Sequence, residues 1–540
     1  MVSESLKIAL AQVNFTVGAL DKNFAILRDC VLYNTQADLI VFPELGLVGY
    51  PPEDLLFRPD LYAELTDLEE ELLKLSHEVA ILIGHPETDG NRYFNAVSFY
   101  QDGHKTVTYR KHNLPNYGVF DEKRYFTPGE QTVVVDFKEH RLGLLICEDL
   151  WTPEPVRAAK EAGADIIVSI NASPYEEYKY PQRLQVLKAR CQEVGLPLVY
   201  VNAVGGQDEL IFDGNSMVLD SDGEACVTLP HCESAVETVE IKKRDVLTKS
   251  LVEQPDLYHA MYDALVMALR DYVEKNGFPS VLLGLSGGID SALTLAIAVD
   301  ALGGDRVHAV MMPYHYTASI SVEDAKQQAE ILGCGFDVVP IEPMVQTYLK
   351  QLEPLFGGKQ TDTTEENLQA RCRGVLLMAL SNKHGSLLLT TGNKSELAVG
   401  YCTLYGDMCG GFAPIKDLPK SLVYALSNAR NKLGSAIPER VITREPSAEL
   451  APDQKDQDSL PPYEVLDEII DGYVERDLSV ADLVASGYAK HEVEKVVKLI
   501  ERSEYKRKQG AVGPKVTRRN FSKDRRMPIT HGYLNTLLKR

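Results

Sequence analysis

The string Leu283-Gly284-Leu285-Ser286-Gly287-Gly288-Ile289-Asp290-Ser291 joins an apolar run of strand length, residues 280–285, to a stretch of helical periodicity, 291–301. Adjacent glycines let backbone N–H groups face an anion at close range, and the helix that follows adds its positive N-terminal end. The turn reads as a phosphate cradle; on the two adjacent glycines alone an ordinary strand–turn–helix is the better reading. No Gly-Lys-Ser/Thr follows, so it is not the lysine-bearing P-loop. The same pattern recurs around it: strands at 281–285, 306–312, 337–340 and 387–391, with helices at 257–275, 292–301, 321–332 and 366–383. That alternation predicts a doubly wound parallel α/β sheet, whose ligands lie beyond the carboxyl ends of the strands. Ser286, Tyr314 and Thr391 fall at such ends.

A chain of 540 residues exceeds one core. The charged stretch 242–254, closed by Gln254-Pro255, marks the connection and divides the chain into 1–245 and 246–540. The net charge of −22 argues against a nucleic-acid or membrane-surface partner, though not against an anionic small ligand. Nine cysteines show no paired spacing, and neither a signal segment nor a run of membrane-spanning length is evident, so a reducing cytoplasm is the expected setting.

In the first half, apolar strand patterns at 7–13, 38–42, 80–84, 93–100, 106–109, 142–147, 166–170 and 198–202 interleave with helical ones at 24–33, 61–76, 156–162 and 182–194. They predict a layered α/β sandwich. Three strand ends carry reactive groups: Glu44 closing DLIVFPE, Lys111 in YRKHNL, and Cys147 in LLICED. A carboxylate, an ammonium and a thiol supply a base, an oxyanion stabiliser and a nucleophile for acyl transfer. Singly, each has a plainer reading: a loop start, a solvated lysine, a core thiol.

The contexts FPEL, YRKHNL and ICEDLW resemble the nitrilase superfamily over residues 5–245. That resemblance implies an α-β-β-α sandwich, Glu44 as general base, Lys111 and the N–H of Glu148 at the oxyanion, Cys147 as nucleophile and Glu122 in support. PNYG at 115–118, NASP at 171–174 and Lys179 are similar to glutaminase members, which implies glutamine contacts at Tyr117, Ser173 and Lys179. The Ser-Gly-Gly-x-Asp-Ser string resembles the pyrophosphate loop of N-type ATP pyrophosphatases. With MPYHYTASISVEDA, TTGNKSELAVGYCTLYGD, KDLPKSLVYAL, REPSAEL and SEYKRKQ, in order through 257–525, the chain is identified as a member of the glutamine-dependent NAD synthetase family.

The resemblance implies ATP as co-substrate at Gly284, Leu285, Ser286, Gly287, Gly288, Ile289, Asp290, Ser291, Thr391, Lys420 and Ser447. It implies Mg2+ at Asp290 and Glu396, and deamido-NAD at Asn367, Arg371, Glu396, Asp407 and Lys506. Glutamine or ammonia is the expected nitrogen source, and a homo-oligomer the expected assembly. Where many members have His, Tyr505 precedes Lys506. Glu396 also fits a helix-start charge, and Arg371 and Arg373 fit surface helix charges. Cys402 and Cys409 lack a zinc spacing, and His491-Glu492 lacks the second histidine of a metalloprotease helix. Residues 451–462 read as a polar, proline-rich loop, and the basic run 515–526 as a solvated or inter-subunit surface, with closure of the dinucleotide pocket as the second reading.

Overall fold

The alternating stretch Leu6–Gln12 forms a central strand of a seven-stranded sheet, parallel to Leu39–Val41 and antiparallel to Ala235–Lys242. In this computed structural model, residues 5–534 are described apart from 448, 452–456, 458 and 459, and two compact units result, Met1–Asp256 and Leu257–Arg540.

The first unit follows from a period of two. Leu6, Ile8 and Leu10 face a core shared with a second sheet, while Ala9 and Ala11 face the opposite way. The outward face packs on the helices Leu20–Tyr33 and Pro59–Leu75 through Leu27, Val31 and Leu72. The second sheet runs Ala225–Thr228, Met217–Leu219, Leu198–Asn202, Ile166–Asn171, His140–Ile146 and Val134–Phe137. Its parallel inner strands are apolar at almost every position, as strands covered on both faces must be. The helices Pro153–Glu161 and Lys179–Val194 complete the layers through Val156, Ala159, Leu187 and Cys191. This is the α-β-β-α sandwich expected. Beyond the strand Asp245–Val246, the chain still lies on this unit, with Ser250 N donating to Cys226 O and Val252 N to Thr228 Oγ1.

The second unit holds a four-stranded parallel sheet, ordered Gly335–Val338, Val307–Met311, Val281–Gly284 and Leu387–Leu389. Helices Leu257–Lys275, Ile289–Leu302, Ser319–Leu332 and Thr363–His384 lie where the sequence placed helical periodicity. Ile289–Leu302 buries residues around most of its circumference, since it packs on the sheet and on neighbouring helices. The strand expected at 337–340 sits at Gly335–Val338, because this exposed edge has no buried face to fix its register. A further helix, Glu342–Phe356, carries Pro343 and Pro354, which masked it in the sequence. The C-terminal helices Tyr463–Ile470, Val480–Ala485 and Lys490–Arg502 close a separate core around Leu466, Ile469, Val493, Val496 and Ile500. Most of the polar loop expected at 451–462 lies outside the described residues. Among the described residues no helix is long and apolar enough to cross a membrane.

Candidate active sites

Three strand ends of the first unit converge on one buried charge cluster. Lys111, just past the strand His104–Arg110, places Nζ 2.7 Å from Glu44 Oε1 and 2.8 Å from Glu122 Oε1. Glu44 is held further by Asn95 Nδ2 on Oε1 at 2.7 Å and Ala172 N on Oε2 at 2.9 Å. Glu122 accepts from Tyr50 OH at 2.9 Å. Burial works against the Lys111 charge, but Glu122 and Glu44 outweigh it and hold the ammonium well above its ordinary pKa. Burial raises Glu122 to about 7, against the pull of Lys111.

Cys147 ends the strand His140–Ile146 and opens the 3-10 turn Cys147–Leu150 with φ of 47°, a left-handed conformation rarely taken by a side chain with a Cβ. Asp149 fixes that turn. Its carboxylate accepts from Ile146 N, Asn113 N and Tyr109 OH at 3.1, 2.8 and 2.8 Å. Burial and then Glu44 push the thiol up, while Lys111 pulls it down, and the net is well above its ordinary pKa. The resting sulfur is therefore a thiol and needs a proton acceptor before it can attack.

In the second unit a cavity of about 310 Å³ opens at the carboxyl ends of the parallel strands. The glycine loop forms its floor. Gly287 has φ of 81°, and a Cβ there would stand 2.4 Å from Ser321 O, so only glycine fits. Ser286 N donates to Ser291 Oγ, and Ser286 Oγ accepts from Gly288 N, both at 3.2 Å. Gly288 caps the following helix without a side-chain bond, which leaves that helix start open to a ligand. Asp290, Thr391, Glu396, Asp407, Lys420 and Ser447 also line the cavity. Lys420 Nζ reaches Asp290 Oδ2 at 2.5 Å and Glu396 Oε1 at 3.3 Å, and Asn393 Nδ2 donates to Asp290 Oδ1 at 2.8 Å.

A carbon-nitrogen hydrolase family model matches residues 7–247, and an NAD synthase family model residues 261–510. A glutamine-dependent NAD(+) synthetase of Acinetobacter baylyi is 49% identical over 98% of this chain and 99% of its own length. A solved glutamine-dependent NAD+ synthetase of Acinetobacter baumannii, in complex with adenosine diphosphate, is 47% identical over 97% of this chain and 98% of its own, with a TM-score of 0.80. This chain belongs to the glutamine-dependent NAD(+) synthetase family. A further such synthetase structure, from Cytophaga hutchinsonii, shares the fold at 22% identity, with a TM-score of 0.87 over 99% of both chains.

Two of the three residues expected at glutamine touch the segment around the thiol turn. Tyr117 OH donates to both Glu148 carboxylate oxygens, at 2.9 and 3.1 Å. Lys179 Nζ lies 4.3 Å from the centre of the Trp151 ring. Ser173 is buried, its N–H on Asn202 Oδ1 at 2.9 Å. Of the residues expected at deamido-NAD, Glu396 and Asp407 line the cavity, whereas Asn367, Arg371 and Lys506 do not. Those three gather instead on the loop 400–404. Lys506 Nζ donates to Gly400 O and Cys402 O at 2.8 Å, Arg371 Nε to Leu404 O at 3.2 Å, and Thr403 Oγ1 to Asn367 Oδ1 at 2.8 Å. Tyr314 is buried beside its strand end without lining the cavity.

Sequence reasoning missed several members of the two clusters. Asn95 and Tyr50 sit inside apolar stretches whose pattern says nothing of polar partners. Arg183 is fully buried against Asp213, at 2.9 Å, on a helix that reads as polar. Only Arg373 left a trace in the sequence, beside Arg371 on one helix.

Proposed function

We propose that this chain makes NAD+ by joining a glutaminase, carried by the unit Met1–Asp256, to an ATP-dependent synthetase, carried by the unit Leu257–Arg540. The observation that carries the reading is a buried carboxylate–ammonium–thiol cluster and a glycine-floored anion cavity in one member of this family.

In the first half, Glu44 accepts the thiol proton and Cys147 Sγ attacks the side-chain amide carbon of glutamine. Lys111 and the N–H of Glu148 hold the oxyanion. Ammonia leaves, and water cleaves the thioester to release glutamate and regenerate the thiol. Tyr117, Ser173 and Lys179 position the amino-acid end of the substrate. In the second half, the nicotinate carboxylate of deamido-NAD attacks the α-phosphorus of ATP and pyrophosphate departs over the loop Gly284 to Ser291. Ammonia then displaces AMP from the adenylated carboxylate. ATP is needed because a carboxylate is a poor electrophile.

The residues present fit Mg2+. One cation, the Lys420 ammonium, already reaches both Asp290 and Glu396, and hard carboxylate oxygens in ones or twos beside phosphates are what this ion takes. When bound it supplies charge neutralisation at the departing phosphates. Lys420, Thr391 and Ser447 hold the nucleotide beside it. Asp407, raised to about 6 by burial, and Glu396 take the dinucleotide in the cavity, and Asn367, Arg371 and Lys506 serve it through the loop 400–404 that they hold. All described cysteines are free, which supports a cytoplasmic setting.

The test is product analysis. With ATP, deamido-NAD and ammonium, the protein should release AMP and pyrophosphate in step with NAD+, and Asp290→Asn should abolish all three. Undiminished synthesis by Asp290→Asn would remove that residue from the nucleotide site.

A further inference from the structure

The helix Thr363–His384 turns two nearby arginines to different surroundings. Two residues on an α-helix are separated by roughly 200°. Arg371 is exposed on the outside, whereas Arg373 lines the cavity together with Ser286 to Ser291. Arg373 Nε donates to Met312 O at 3.1 Å, its one hydrogen bond among the described residues. None of the described carboxylates lies within ion-pair distance of it. Burial pulls it down to about 10, against Cys372, Glu449 and Asp407. A half-buried guanidinium with no carboxylate partner among the described residues is costly to keep for packing alone.

Its place is beside the start of the glycine loop. A methyl built on Gly284 would stand 3.1 Å from Met312 Cε and 3.4 Å from Leu377 Cδ1. Met312 is the residue whose carbonyl anchors Arg373, and Leu377 lies one turn along the same helix face. The Nε bond fixes the plane of the guanidinium and leaves its terminal N–H groups for an anion, in the fork geometry suited to phosphate oxygens.

We propose that Arg373 binds a phosphate group of the nucleotide at the adenylation centre, as a further substrate-contacting residue. The proposal rests on reading this cavity as the ATP site.

Equilibrium binding of ATP, and of inorganic pyrophosphate, to full-length wild type, Arg373→Gln and Arg373→Lys tests it. Gln keeps a donor for Met312 O and loses the charge; Lys keeps the charge and loses the fork. ATP binding should weaken by about tenfold or more in Arg373→Gln, as expected for one charge-assisted bond, and by less in Arg373→Lys. The KM for ATP in ammonium-driven synthesis should follow the same order. Parallel weakening of pyrophosphate places the contact on the departing phosphates; weakening of ATP alone places it on the α-phosphate. Unchanged ATP affinity in Arg373→Gln, or a loss confined to the KM for deamido-NAD, would overturn the proposal. Should the Gln variant not fold, unchanged ATP affinity in Arg373→Lys overturns it. Wild-type protein that binds no ATP would instead bring down the nucleotide reading of the cavity, and Arg373's role with it.

Discussion

Lys111 stands between two carboxylates, and the protonation of Glu122 sets how strongly it leans on Glu44, the proposed base. Glu122 sits at about 7, raised chiefly by burial. Below that pH it is protonated, so the Lys111 charge bears on Glu44 alone and weakens it as a proton acceptor. Glutamine hydrolysis should therefore fall on the acid side with an inflection near pH 7, and Glu122→Gln should remove that inflection at a lower overall rate. An inflection that persists in the variant belongs to another group. The stability sign follows from the same shift. A folded-state pKa above the ordinary 4.5 means that Glu122 favours the fold when protonated, fully at low pH, and that this contribution is lost as pH rises to about 7. Across that window the unfolding midpoint of Glu122→Gln should gain on that of wild type. Glu44 and Cys147 were legible because each ends a visibly apolar strand, and Lys111 because it closes a short β-branched run, Thr106 to Tyr109. Tyr50 and Asn95 were not, since their partners lie far along the chain: 72 residues separate Tyr50 from Glu122, and 51 separate Asn95 from Glu44.

At the scale of elements, the helix Lys394–Val399 shows how a short piece is held to present one carboxylate. Asn393 caps it, accepting from Glu396 N at 2.9 Å, and ties it to Asp290 through the same side chain. Lys394 is completely buried, its Nζ 3.0 Å from Asp417 Oδ1, 2.6 Å from Glu475 Oε1, 2.5 Å from Thr517 Oγ1 and 2.8 Å from Arg519 O. One ammonium thus fastens segments that are distant in sequence to the start of the Glu396 helix. Lys394→Met leaves two buried carboxylates facing each other and should cost about 3–5 kcal/mol in urea unfolding. Adding Glu475→Gln should recover part of that loss; no recovery would place the cost elsewhere. Nothing in TTGNKSEL signals this burial, because a lysine at a helix start reads as solvated. Strands and helices were readable wherever one face is apolar and covered. The edge strand Gly335–Val338 slipped for want of such a face, and Ala235–Lys242 was passed over although it alternates, because its partner, Leu6–Gln12, lies at the far end of the unit.

Over the whole molecule, the two units answer one chemical problem. Neutral ammonia is scarce at pH 7, where its conjugate acid dominates, and an adenylated carboxylate waits for a nucleophile. A chain that carries both an amide-cleaving cluster and an adenylating cavity can generate the nucleophile it consumes. The order of family-like segments made this division legible, since each motif marks a strand end or a helix start within its own unit. The central claim is that Cys147 supplies nitrogen and nothing else to synthesis. It is tested most directly by NAD+ formation from ATP and deamido-NAD by folded Cys147→Ala, with amide-labelled glutamine or with ammonium as donor. The account predicts no labelled NAD+ from glutamine and near wild-type synthesis from ammonium. Synthesis lost with both donors, or retained with glutamine, would contradict it.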